Sequence, residues 1–346
     1  MKQSIKLLDC TLRDGGFALE DAMKNNISDL TFSNEDVNQM LDVFPKTHID
    51  IVEIGSIEIS KNDKRHFCIH QNIESISKTI PENHINNQFY AALFRGPDTP
   101  IEDLPEWKPG LIKGVRVILR YSELKKSLDF CAALARKGYS VFVQPMLTMR
   151  YTENEIKMVI KAANDMHAYA LYFVDSYGYM QDNDIINLYK KYDDSLDHTI
   201  RIGFHAHNNM NLAFSNALTF IQQYSGREII VDSCALGMGQ GAGNLQTEII
   251  SSHMNRVNGK EYNFSEILKI CEIIEKYYGD NLWGYSVTRL LPAIHKAAYK
   301  YAVALRHTYK LSFVEINELL ENMPEDLRQR YTPDNATKLL KLHGKL

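Results

Sequence analysis

Short apolar runs alternate with helical patterns along most of this chain. "SIKLLDCTL" (4–12) precedes "NEDVNQMLDVF" (34–44), "HIDIVEIGS" (48–56) follows, and "NQFYAALF" (87–94) comes after a polar stretch. "IKGVRVIL" (112–119) leads into "SELKKSLDFCAALARKG" (122–138), an amphipathic pattern that stops at a glycine. "YSVFVQPML" (139–147) leads to "TENEIKMVIKAANDM" (152–166), which opens on a Thr-x-x-Glu capping box. "AYALYFVDS" (168–176) precedes a helical pattern over 182–192, and "TIRIGFHAH" (199–207) precedes one over 211–224. "EIIVDSCAL" (228–236) comes last, and a glycine cluster separates it from a helical pattern over 244–257.

Eight strand-helix units in a little over 250 residues predict a parallel sheet covered by helices. That count and length fit an α/β (β/α)8 TIM barrel. A doubly wound open sheet is the competing architecture, but "LRDGGF" lacks the GxGxxG spacing such a sheet carries in its first turn. From about 263 strand patterns stop, and "FSEILKICEIIEKYYG", "RLLPAIHKAAYKYAVALRH", "SFVEINELLENM" and "PDNATKLLKL" read as helices. The expected organisation is a catalytic barrel over 1–260 and a C-terminal helical region over 261–346.

Composition narrows the field. The 346 residues are 45% hydrophobic and 24% charged, with a net charge of −4 and no basic face, so neither nucleic acid nor an anionic membrane is an expected partner. The opening "MKQSIKLLDC" meets charge before any leader-type apolar core, and no run reaches the roughly 18 apolar residues of a membrane span. The five widely spaced cysteines, without a CxxC pair, predict reduced thiols and a cytoplasmic setting. Cys10 and Cys234 lie in apolar strand-like runs and read as buried, inert cysteines.

Barrel chemistry sits at the C-terminal ends of the strands. Those ends here carry Arg13 and Asp14, Glu53, Gln144, Asp175 and Ser176, His205 and His207, with Asp232 inside the last strand and Asn244 after "GMGQGAGN". Each has a plain structural reading. Arg13 and Asp14 can form a surface ion pair, Glu53 a buried salt bridge, Asp175 with Ser176 a capping turn, and the glycines a simple loop. In a strand, however, His205 and His207 point to one side, and two imidazoles with the Asp14 carboxylate suit a divalent ion. Arg13 offers a guanidinium fork for an anionic oxygen.

"LDCTLRDGG", "HAHNNMNLAFSNA" and "LGMGQGAGNLQTE", taken together, resemble the DRE-TIM metallolyase superfamily (the lyases like HMG-CoA lyase), most of all its 4-hydroxy-2-oxovalerate aldolase-like branch. The resemblance implies that Asp14, His205, His207 and Asn244 hold Mg²⁺ or Mn²⁺. It also implies that Arg13 stabilises an enolate oxygen, and that the protein is a metal-dependent carbon–carbon lyase working through a metal-bound enolate of pyruvate or a related 2-oxo acid. A small 2-oxo acid and an aldehyde are then the expected partners, with Asp175 and Ser176 beside Arg13 as substrate contacts, and a homo-oligomer is admitted.

Two positions depart from that branch. Phe17 stands where it carries a histidine base, and Arg289 aligns with its catalytic tyrosine. Glu53 is the first candidate for the missing base, with Glu20, His70 and Tyr285 behind it. "FVEINELLENMPEDLRQRY" does not resemble the aldolase segment that docks a partner dehydrogenase, so channelling to such a partner is not expected. A Claisen-type acyl transferase resembling isopropylmalate synthase and a non-catalytic 2-oxo acid-binding protein are the rival readings.

Overall fold

The computed structural model describes residues 4–59, 63–81, 88–278 and 282–345. Eight parallel strands, β1 (Ile5–Asp9), β2 (Ile51–Ile57), β4 (Phe89–Phe94), β5 (Gly114–Leu119), β6 (Ser140–Pro145), β7 (Ala170–Asp175), β8 (Arg201–Ala206) and β9 (Ile229–Ser233), pair in sequence order. Pairing of β1 with both β2 and β9 closes them into a barrel, and a two-residue strand β3 (Ile69–His70) adds on to β2. Each of the eight apolar runs overlaps one barrel strand, so the predicted (β/α)8 fold is the observed one.

Because side chains alternate along a strand, two apolar layers form. Leu7, Val52, Val115, Val141, Leu171 and Val231 face outward into the core shared with the helices. Leu8, Ile51, Ala91, Phe142, Ala170, Tyr172 and Ile230 fill the barrel itself. Tyr172 packs so closely that a Cβ on Gly203 would lie 2.3 Å from its ring, which leaves glycine as the residue that fits opposite it.

Most barrel strands and covering helices are joined by short turns, but the connections from β2 to the next α-helix and from β4 to β5 are longer, and no α-helix lies between β4 and β5. The helices are α1 (Thr11–Lys24), α2 (Asn34–Thr47), α3 (Ile73–Ser77), α4 (Leu124–Arg136), α5 (Glu153–Asp165), α6 (Asp182–Asp193), α7 (Ala213–Ile221) and α8 (Thr247–His253). The predicted capping box of α5 is present: Glu155 N donates to Thr152 Oγ1 at 3.3 Å, and Thr152 N donates to Glu155 Oε2 at 2.8 Å. One element was not legible. The chain enters α1 at Thr11, immediately after β1, so Arg13, Asp14 and Glu20 lie on a helix and not on a loop. Gly15 and Gly16, inside this helix, allow close packing. A Cβ on Gly16 would sit 1.9 Å from the Phe67 carbonyl oxygen, and one on Gly15 would sit 2.6 Å from Met238 Sδ.

Helix α9 (Phe264–Tyr278) buries Ile267, Ile270 and Ile274 in the barrel's own core. The five helices that follow, α10 (Val287–Ile294), α11 (Lys300–His307), α12 (Phe313–Glu321), α13 (Glu325–Arg328) and α14 (Pro333–Leu342), build a separate small core around Tyr301, Leu305, Ile316, Leu320 and Leu339. The single helix expected over 289–307 is therefore two, broken where Lys296 takes a left-handed φ of 53°. Among the described residues no helix is long and apolar enough to cross a membrane.

Candidate active site

A cavity of about 190 Å³ opens at the C-terminal ends of the strands, lined by Arg13, Asp14, Phe17, Gln144, Ser176, His205 and His207, together with Asn209, Gln240 and Tyr299. It leads outward into a vestibule of about 850 Å³ that shares Phe17, Met146, Leu147, Tyr177 and Gln240 with it. The interior of the barrel below the cavity is ionic. Arg116, almost fully buried at the centre of β5, donates from Nη1 to Glu53 Oε2 at 2.9 Å and from Nη2 to Asp232 Oδ2. In the amide orientation that satisfies both groups, Gln144 Oε1 accepts from Arg116 Nη2 and Nε at 3.1 and 3.2 Å. Tyr172 Oη donates to Asp232 Oδ1 at 2.9 Å.

This buried network sets the functional side chains above it. Arg13 donates from Nε to Glu53 Oε2 at 2.7 Å, and its Nη1 lies 2.7 Å from Asp14 Oδ1. The Arg13–Asp14 pair thus exists, but it is buried in the barrel mouth and not on the surface. His205 Nδ1 lies 2.9 Å from Asp232 Oδ2, and His207 Nδ1 lies 2.9 Å from the Asp175 carbonyl oxygen. Each ring is pinned through Nδ1, which leaves Nε2 to point at the cavity. Outer partners orient metal-binding histidines in this way. Ligand atoms of Asp14, His205 and His207 lie within 4.8 Å of one another.

Asn244, the fourth residue the resemblance implies, lies beside Asp14. Asn244 Nδ2 donates to Asp14 Oδ2 at 2.8 Å and to the Met238 carbonyl oxygen at 2.9 Å, while its buried Oδ1 has no partner among the described residues. A buried amide oxygen left unsatisfied is costly, and a cation supplies the missing contact. The glycine loop serves this side chain. A Cβ on Gly239 would lie 2.1 Å from Asn244 Nδ2, and Gly243 takes φ 82° with the Gly237 carbonyl 2.0 Å from where its Cβ would be. Two imidazole nitrogens, one carboxylate and one orphaned amide oxygen therefore fit a divalent ion.

The charges differ between the two histidines. Burial works to raise the Asp14 pKa, but Arg13 and then the two histidines outweigh it and hold the carboxyl below its ordinary range. Burial, with His205 adding to it, pushes His207 down to about 4, so its imidazole is neutral as a ligand must be. Burial would lower His205 as well, but its bond to Asp232 and the neighbouring Cys10 carry it up to about 10. Asp232 thus favours a protonated ring, and a metal ion bound at Nε2 would have to displace that proton.

Other expected site residues lie elsewhere. Asp175 does not line the cavity. Its carboxylate accepts the backbone N–H groups of Tyr179 and Met180 at 2.9 and 3.1 Å, the capping-turn arrangement, and burial lifts its pKa to about 7. Ser176 does line the cavity, its Oγ accepting from Leu147 N at 2.8 Å. Glu53 is fully buried beneath Arg13, between two guanidiniums, and outside the cavity lining. Glu20 accepts from Lys64 and Arg95 at 2.9 Å each, His70 is buried on β3, and Tyr285 is exposed. Phe17 is at the mouth as expected, with the Arg95 guanidinium 3.6 Å over its ring. Tyr299 was missed. It lies just before α11, in a stretch whose apolar spacing reads as ordinary helix packing, and only the docking of the C-terminal helices brings it to the cavity, its Oη donating to Asp21 Oδ2 at 2.7 Å.

Comparison with known proteins bears on the fold and on the family this chain resembles. Residues 117–274 match the HMGL-like family model. A 4-hydroxy-2-oxovalerate aldolase of Geobacillus genomosp. 3 is 27% identical over 261 residues, covering 74% of this chain and 72% of the relative. The crystal structure of the N-terminal domain of a proposed aldolase from Bacteroides vulgatus superposes with a TM-score of 0.72 at 22% identity, over 88% of this chain and 98% of that one. Bacillus subtilis HMG-CoA lyase superposes with a TM-score of 0.62 at 16% identity, over 80% and 94%. Residues 117–274 of this chain thus match the HMGL-like family model, within a closed barrel whose motifs resemble those of the DRE-TIM metallolyases.

Proposed function

We propose that this protein is a divalent-metal-dependent carbon–carbon lyase of the aldolase type, acting through the enolate of pyruvate or a related 2-oxo acid. The observation that carries the proposal is the convergence of Asp14, His205 and His207 on one point at the base of a cavity that Arg13 also lines. Those three residues and Asn244 Oδ1 would hold Mg²⁺ or Mn²⁺. When bound, such an ion supplies Lewis acidity to the carbonyl and carboxylate of a 2-oxo acid.

The chain's own residues do the rest. Arg13 is fixed by Glu53 and Asp14, so its guanidinium is pre-organised for the oxygen on which negative charge develops. Glu53 acts as a positioning residue, because it lies fully buried beneath Arg13, bonded to that guanidinium and outside the cavity lining. Phe17, Leu93 and Ile118 form an apolar wall that keeps water from the reacting carbon. Tyr299 lines the cavity and donates from Oη to Asp21 Oδ2, and this hydroxyl–carboxylate pair is assigned the proton transfer that Phe17 cannot perform. The aldehyde partner and its product pass through the outer vestibule.

Titration of the full-length chain with Mn²⁺, followed by the spin-resonance signal of the free ion, tests the metal position. Wild type is expected to take up the ion, and His207→Ala to lose uptake while keeping its circular dichroism. Equal uptake by both proteins refutes the assignment.

A further inference from the structure

Beneath the histidine pair lies a second group of potential ligands that the proposed reaction does not use. Parallel pairing of β1 with β9 sets Asp9 beside Ser233, and the next residue on each strand, Cys10 and Cys234, comes together across 224 positions of sequence. Their Sγ atoms are 3.3 Å apart, and both side chains are fully buried. Ligand atoms of Cys10, Cys234 and Asp14 all lie within 4.8 Å of one another, as do those of Cys10, His205 and Asp232. The thiols also contact their surroundings, Cys10 Sγ the Ser233 carbonyl at 3.3 Å and the His205 ring, and Cys234 Sγ the Asn244 Nδ2 at 3.3 Å.

An isolated buried cysteine behaves as a small apolar side chain. Two in contact, with a carboxylate and an imidazole in reach, make a different object. Thiolate donors select soft ions, whereas Mg²⁺ and Mn²⁺ prefer oxygen. With metal–sulfur bonds of about 2.3 Å, neighbouring corners of a tetrahedral sphere are about 3.8 Å apart, so the sulfurs at 3.3 Å need to part by about 0.5 Å to share one ion. We propose that Cys10, Cys234 and Asp14 form a thiol-lined metal position below the His205–His207 position, and that it takes a thiophilic divalent ion of the Zn²⁺ or Cd²⁺ kind. Binding exchanges the two thiol protons for the ion and moves no electrons. Asp14 belongs to both donor sets, so a soft ion held by the thiols competes for the carboxylate that the hard ion needs. Only this competition rests on the function proposed above; the thiol position stands on the sulfur geometry.

The probe is Cd²⁺ alone, titrated into the reduced full-length chain and followed by the sulfur-to-cadmium charge-transfer absorption in the ultraviolet. Wild type is expected to develop the band and to lose Mn²⁺ as it does so. Cys10→Ser and Cys234→Ser should each abolish the band, while His207→Ala keeps it. Retention of the full band in the folded double variant, or no band in wild type, overturns the proposal. If the cysteine variants fail to fold, cadmium NMR of wild type decides: a resonance in the two-sulfur range is expected, and one in the oxygen and nitrogen range overturns it. A protein that gives the band but never binds Mn²⁺ would refute the hard-metal reading and leave the thiol position intact.

Discussion

Arg13 donates in two directions at once, from Nε to Glu53 and from Nη1 towards Asp14, and neither bond survives a change of head-group shape. Lysine keeps the charge and loses the fork. Arg13→Lys is therefore expected to slow solvent exchange of the pyruvate C3 protons by about 10²–10³-fold, the scale of a lost oxyanion donor. Near-wild-type exchange in this variant would remove the guanidinium from the account. Glu20 shows why a buried carboxylate in α1 is not by itself a base. Burial works to raise its pKa, but bonds from Lys64, Lys24 and Arg95 outweigh that and bring it down to about 2. Since the unfolded chain binds this proton at about pH 4.3, it holds more protons than the folded chain between that value and pH 2. The stability Glu20 contributes is thus complete above that window and is lost as pH falls through it. In urea unfolding, Glu20→Gln should be less stable than wild type near neutrality, with the difference closing towards pH 2–3. A gap that does not depend on pH would mean that the ion pairs contribute nothing.

At the scale of elements, the barrel strands carry two kinds of interior, apolar at one level and ionic above it. Arg116 ties β5 to Glu53 of β2 and Asp232 of β9, with Gln144 of β6 alongside. Arg116→Met removes the cation and leaves two buried carboxylates facing each other, a change expected to cost about 3–5 kcal/mol in chemical denaturation. A loss below about 1 kcal/mol would show that water or relaxation replaces the network. The strands themselves were legible because apolar runs of this length, separated by amphipathic helices, have few other solutions. The strand-end rule picked out Arg13, Asp14, His205 and His207, which line one cavity, and also Asp175 and Glu53, which do not. Helix α1 was hidden because Gly15 and Gly16 lower local helix propensity, and only the approach of Phe67 and Met238 reveals why they are there. The depth of Glu53 was hidden too, since a strand pattern gives the face of a residue and not its partners. The contact of Cys10 with Cys234 depends on barrel closure, which no local window contains.

The whole molecule completes the cavity by bringing the C-terminal helices back over α1. Tyr299 and Lys300 both bond to Asp21, and Asn209 of the loop after β8 donates to the Arg289 carbonyl at 3.2 Å. The catalytic barrel is thereby closed on one side by residues far outside it in sequence, which supports treating the C-terminal region as part of the working site. Its helical character was legible from periodicity; its contribution of Tyr299 was not, because docking is decided by long-range contacts. Metal-dependent formation of a 2-oxo acid enolate is the claim on which the functional account stands. Exchange of the pyruvate C3 protons in deuterium oxide isolates that step from the identity of the aldehyde. With Mn²⁺ present, wild type should exchange these protons, chelation of the ion should stop it, and Tyr299→Phe should slow it by about 10²–10⁴-fold, the range for a lost proton-transfer group. No exchange above the buffer rate by the folded, Mn²⁺-loaded wild type, or equal exchange with and without the ion, would contradict the account.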